Sequence, residues 1–158
     1  MDQKILSFDI GTKHLAWCQA HMDMSTRDIN VIDWQLVDIN APTIEMCLQR
    51  CLELFKTRFA DMSGTIVLIE RQIYMNLKAY TLSHFIHGYF AGKKQKVIYM
   101  SAKSKPLQKQ GQARKTEAVH MVSKMIRDSE RTFIENHKKK DDLADCYLQI
   151  VGHSLGKS

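Results

Sequence analysis

The stretch "GTIVLIE", Gly64 to Glu70, limits what this chain can fold into more than any other. A strand with one face in water alternates apolar and polar residues, whereas Ile66 to Ile69 are apolar on both faces, so both must be covered. Such a strand needs a sheet with helices packed on either side. The run then ends abruptly in a carboxylate, Glu70.

The flanking patterns fill in the rest of an α/β plan. "KILSFDIG" is a second apolar, β-favouring run, closed by Gly11, and "HLAWCQAHM" follows through the tight "GTK" turn. "INVIDWQLVDI" reads as a third strand, and three strands with short connections predict an antiparallel meander. After Pro42 and Thr43, residues Ile44, Cys47, Leu48, Cys51, Leu52 and Phe55 recur at intervals of three and four, predicting a helix to about Phe59. A helix from Leu77 to Ala91 follows "GTIVLIE", then a fifth strand, "KVIYMS". Helices near Arg114 to Arg127 and Asp142 to Leu155 finish the chain. The predicted order is βββαβαβαα: a mixed five-stranded sheet flanked by helices, in one domain spanning residues 1–158.

Composition excludes several classes. With 44% hydrophobic and 25% charged residues the chain is globular rather than disordered, and no apolar run reaches the roughly 20 residues of a membrane span. "MDQKILSFDIG" lacks the basic start and long apolar centre of a signal peptide, so a soluble protein in a reducing compartment is expected. The four cysteines form no C-x-x-C pair; Cys47 and Cys51 sit at helical spacing and read as part of a buried stripe. No histidine pair has convincing ligand spacing.

The formal net charge is +6, and the segment from Lys93 to Lys115, "KKQKVIYMSAKSKPLQKQGQARK", is rich in Lys and Arg without any Asp or Glu. Positive charge concentrated in this way fits a polyanionic partner such as nucleic acid. The acids are concentrated too: "KKKDDLADC" places Asp141, Asp142 and Asp145 within five residues. Asp9 lies inside a strand that should be buried, where an unsatisfied acid is costly, and Glu70 ends another. In α/β sheets, groups at strand ends and helix starts gather on one rim. Carboxylates crowded there would either retain protons or share hard dications. A two-metal phosphodiester hydrolase uses the second arrangement. Either Asp141 or Asp142 would pair with Asp145 on one helix face.

Four segments, "FDIGTKHLAW", "IVLIERQ", "RKTEAVHMV" and "KKDDLADC", resemble in order and spacing the four motifs of the RuvC-like Holliday junction resolvases of the ribonuclease H-like superfamily, most closely their poxvirus branch. The resemblance covers Lys4 to about Ile150. It implies a ribonuclease H-like fold and a Mg²⁺-dependent endonuclease, with Mn²⁺ as an alternative and two ions per site, that resolves four-way DNA junctions by paired nicks. It also implies a homodimer, no membrane association, and work on replication concatemers in the infected-cell cytoplasm. Asp9, Glu70, Asp142 and Asp145 match the metal-binding tetrad, leaving Asp141 as a helix cap. Lys115 matches a lysine that contacts the scissile phosphate, and Lys103 and Lys105 compete to match a second one. These lysines, with Lys13, Lys109, Arg114 and Tyr74, are the candidate DNA contacts. Bacterial relatives carry a phenylalanine three residues after the glutamate; here Ile73 stands there with Tyr74 beside it. Three other readings stay open: a YqgF-type structured-RNA nuclease, a phosphotransferase sharing the D-x-G-T loop, and a junction-binding protein without catalysis.

Overall fold

The computed structural model describes residues 2–157; Met1 and Ser158, the ends of the expected domain, lie outside the described residues. Three strands, β1 (Asp2–Ile10), β2 (His14–Asp23) and β3 (Ile29–Asp38), form the expected antiparallel meander. Helix α1 (Ile44–Arg58) leads to β4 (Thr65–Glu70), which lies parallel to β1. Helix α2 (Leu77–Gly92) then returns the chain to β5 (Lys96–Met100), parallel to β4. The sheet order is β3-β2-β1-β4-β5, so β1 is central and β4 lies between β1 and β5.

The alternation of side chains along these strands feeds two separate cores. Leu6, Phe8 and Ile10 of β1 and Val67 and Ile69 of β4 point to one face and pack with Cys47, Cys51 and Phe55 of α1 and Leu82, Ile86 and Phe90 of α2. Phe8 is ringed by Phe55, Phe59 and Phe90, each 5.6 to 5.8 Å away between ring centres. The opposite face carries Ile5, Ile66 and Leu68, covered by the C-terminal helices. All four cysteines are buried and unpaired, in line with the absence of C-x-x-C and, for Cys47 and Cys51, with their helical spacing.

Three helices follow β5 instead of the predicted two: α3 (Gly111–Met125), α4 (Asp128–Glu135) and α5 (Lys140–Ser154). The additional α4 has only eight residues, too few to display a periodic apolar stripe. Local polar contacts hold it: the Glu130 carboxylate accepts the Arg127 N–H at 2.9 Å, and Arg131 pairs with Asp128 at 2.9 Å. Helix α5 begins two residues earlier than the sequence predicts, with Lys139 rather than an acid in the capping position. Asp141 is therefore not its cap; it sits in the first turn and pairs instead with Lys115 at 2.8 Å. No helix among the described residues is long and apolar enough to cross a membrane.

Candidate active site

Strand parity puts two acids on the same face. Asp9 follows Ile5 and Ser7 in steps of two, and Glu70 follows Ile66 and Leu68, so both side chains lie on the α5 side of the sheet. The β1–β4 register pairs Phe8 with Ile69, and one step further brings Asp9 beside Glu70. Helix α5 crosses over this point with Asp142, Asp145, Gln149 and Gly152 at helical intervals of three and four. Gln149, fully buried, donates from Nε2 to the Phe8 carbonyl at 3.0 Å and thereby fixes the helix against the strand next to Asp9. Trp34 of β3 secures the start of the same helix through Nε1 to the Leu143 carbonyl at 3.0 Å.

A cation sits among these acids. The Lys105 ammonium contacts Glu70 Oε2 and lies 3.2 Å from Asp145 Oδ2, and its side chain is only 2% exposed. Its position follows from the Ala102–Ser104 turn after β5. The Ser101 hydroxyl accepts the Lys103 N–H at 3.2 Å, Ser104 donates to the Ser101 carbonyl at 2.6 Å, and Arg114 donates to the Ala102 carbonyl at 2.7 Å. Gly152 lets this turn come against α5, since a β-carbon there would meet the Ser104 carbonyl oxygen at 2.6 Å. Lys103 is exposed on the same turn, so Lys105 is the lysine brought to the acids.

The electrostatics record the crowding. Burial raises the Asp9 carboxyl well above its ordinary value; Lys105 opposes that shift, while Glu70, Asp145 and Asp142 add to it. Asp142 and Asp145 are also raised, in both cases mainly by burial. Desolvation works against the Lys105 charge, but Glu70, Asp145 and Asp9 outweigh it and hold the ammonium protonated. Four acids therefore share a region that one ammonium does not neutralise. Their hard oxygen donors and surplus negative charge suit a divalent cation such as Mg²⁺. Among the described residues no three His, Cys, Asp or Glu side chains yet form a ready ion-binding array.

The remaining candidates are spread around this centre. Lys115 is 51% exposed and held by Asp141. Lys13 and Lys109 are exposed, on the β1–β2 turn and ahead of α3. Tyr74 is 76% exposed, in the loop between β4 and α2 with the exposed Ile73 and Met75, next to the exposed Leu77 that begins α2. Sequence reasoning missed a groove of about 740 Å³ between α3 and the start of α5, lined by Gln112, Lys115, His120 and the run Lys138, Lys139 and Lys140. The three lysines were visible, but α3 had to be placed before they became one wall of a cleft. Gln149 and Gly152 were also missed, although their spacing from Asp142 and Asp145 marks a single helix face.

The family model described as Poxvirus A22 protein matches residues 3–151. The chain belongs to this family. No curated protein sequence matches significantly. Among solved structures, this chain is similar to the fowlpox virus resolvase in its complex with substrate Holliday junction DNA (TM-score 0.74, 19% identity, 98% of each chain covered). The yeast mitochondrial Holliday junction resolvase Ydc2 gives a TM-score of 0.73 at 18% identity, over 96% of this chain and 79% of the other. RuvC of Thermus thermophilus gives 0.59 at 16% identity, over 98% and 96%. This chain therefore has the RuvC-like form of the ribonuclease H-like fold expected from its four motifs.

Proposed function

We propose that this chain is a metal-dependent DNA endonuclease that resolves four-way junctions. One observation carries the reading: Asp9, Glu70 and the Asp142–Asp145 pair, from three separate segments, converge on one rim of a resolvase-type sheet with a lysine among them. The tetrad would hold Mg²⁺, or Mn²⁺, with two ions per site. Bound ions supply a more acidic water and charge stabilisation at the leaving oxygen.

The chain's own residues orient the substrate. Lys105 contacts Glu70 and Asp145 of the tetrad, while the half-exposed Lys115, beside Asp141, is placed to meet a phosphate oxygen. Lys138 to Lys140 lie at the start of α5, where cations oppose the helix dipole; a phosphate backbone in the adjoining groove offsets that cost. Lys13, Lys103, Lys109 and Arg114 extend the basic surface, with Arg114 also holding the Ala102–Ser104 turn. The exposed Tyr74 loop offers an aromatic face to bases unstacked at the junction centre.

Paired cuts at a two-fold substrate need two such sites, so a homodimer belongs to the proposal. Helix α2 supports it, because Leu77 and Tyr80 leave apolar surface on its outer side. The proposed work is the processing of branched viral replication DNA in the infected-cell cytoplasm, a reading that membership of a poxvirus family supports.

The deciding experiment offers four-way junction, duplex, flap and structured-RNA substrates with and without Mg²⁺. Symmetric nicking of the junction only with metal is expected, and Asp142→Asn should abolish it. Preferential RNA cleavage, or junction binding without cleavage in Mg²⁺ or Mn²⁺, overturns the assignment.

A further inference from the structure

An ammonium buried to 2% exposure is unusual unless something fixes it there, and Lys105 is fixed at both ends. Its backbone is set by the Ala102–Ser104 turn, which is hydrogen-bonded to Ser101 and Arg114 and seated against Gly152. Its Nζ touches Glu70 and Asp145, acids contributed by a strand and a helix that must both be in place for the cluster to exist. Arg114 lies near Asp145 but spends its guanidinium on the Ala102 carbonyl. Lys115 is engaged by Asp141 at the rim. Among the described residues, Lys105 is thus the cation in direct contact with the inner carboxylates.

We infer that Lys105 is a resident counter-ion that keeps the carboxylate cluster assembled without metal, and that a divalent ion entering the cluster displaces its ammonium from Glu70 and Asp145. The inference rests on the metal-site reading above and deepens it. Without a cation, Glu70 and Asp145 would repel each other and Asp9, loosening α5 from the β1–β4 edge. With Lys105 between them, the donors remain close together but are occupied. A hard dication competes for the same oxygens, and two cations cannot share them at contact distance. The released ammonium remains tethered at the mouth of the site, where a phosphodiester is the available anion.

The test follows the ammonium itself. In wild-type protein freed of metal by chelation, the ¹⁵Nζ resonance of Lys105, assigned through its own side-chain and backbone correlations, should show the slow hydrogen exchange of a buried ammonium. Saturating MgCl₂ should move it to the shift and fast exchange of exposed lysines. In parallel, MnCl₂ binding is followed by electron paramagnetic resonance in wild type and Lys105→Met. The variant should bind Mn²⁺ at least tenfold more tightly and lose thermal stability in the metal-free state. A Lys105 resonance unchanged at metal saturation overturns the displacement while leaving the metal site standing. Absence of Mn²⁺ binding in wild type overturns both. If Lys105→Met does not fold, the wild-type resonance alone decides.

Discussion

Gly152 of α5 and the carbonyl oxygen of Ser104 are packed so closely that an added β-carbon would lie 2.6 Å from that oxygen. The neighbour is backbone, not a side chain that can rotate aside. Gly152→Ala should therefore push the Ala102–Ser104 turn off the helix, at a cost of about 1–3 kcal/mol in stability. Lys105, the next residue, would leave its place between Glu70 and Asp145, so junction cleavage should fall further than stability explains. Urea unfolding and single-turnover cleavage check the two effects. An alanine variant with wild-type stability and rate would show that the turn yields freely.

The acids give the metal-free protein a definite pH dependence. Asp9, Asp142 and Asp145 all have native values above the ordinary 3.8, chiefly through burial. Between that value and their native ones the folded state holds protons that the unfolded chain has released. Their contribution to stability is therefore complete below the ordinary value and is lost as pH rises through the native values. Asp23 has the opposite sign, lowered to about 2 by hydrogen bonds from Ser25 and Thr26, so its contribution is lost only as pH falls towards that value. Chelated protein should lose stability as pH is raised from about 4 towards neutrality. Asp9→Asn should flatten that slope, and thermal melts across the range read both. An unchanged slope in Asp9→Asn would mean that this acid is not responsible.

Much of this site could be read before any coordinates. Asp9 inside "ILSFDIG" and Glu70 at the end of "IVLIE" were readable as acids on strands of one sheet, and "DDLAD" offered three further acids at a helix start. What sequence lacked was the contact between distant segments. Asp141 is a good first-turn acid in isolation, yet Lys115 from α3 claims it across the groove. Lys103 and Lys105 are equivalent in a basic loop until the Ala102–Ser104 turn buries one and exposes the other. Helix α4 escaped because local capping, with few apolar residues, defines it.

The Lys115–Asp141 pair separates charge from stability. Burial raises the Asp141 carboxyl, but the Lys115 hydrogen bond and charge bring it below its ordinary value overall. Lys115 is half exposed, so the pair contributes at most about 1 kcal/mol to folding. Lys115→Gln should leave the melting temperature nearly unchanged. If Lys115 meets the scissile phosphate, the variant should lower the single-turnover cleavage rate by about 100-fold, the scale of losing one charge-stabilising donor. Asp141→Asn should melt similarly and retain cleavage. Equal loss in both variants would mean that the pair acts only by holding α3 against α5.

The cysteines should be chemically silent in the folded protein. Cys18, Cys47, Cys51 and Cys146 are buried. Desolvation, reinforced by neighbouring Cys47, pushes the Cys51 thiol up to about 12, far from the thiolate needed for reaction. A colorimetric disulfide reagent at mildly alkaline pH should detect no thiol in native protein and all four after denaturation. Rapid reaction of even one would place α1 or α5 in a more open state than their packing indicates.

Tyr74 offers the cleanest separation of binding from folding. At 76% exposure it has little packing to lose, and the same holds for Ile73 and Met75 beside it. Exposed aromatic and aliphatic side chains in a loop directly after Glu70 gain burial only when something covers them. Stacking with an unpaired base is worth about 1–3 kcal/mol, so Tyr74→Ala should weaken junction binding by roughly 5-fold to 150-fold. Thermal stability should stay within about 0.5 kcal/mol of wild type. Tyr74→Phe should retain most of the affinity, because the ring rather than the hydroxyl makes the contact. Linear duplex, which presents no unstacked base, should bind wild type and Tyr74→Ala alike. If the alanine variant weakens duplex and junction equally, Tyr74 contacts the backbone and the junction centre is recognised by other residues.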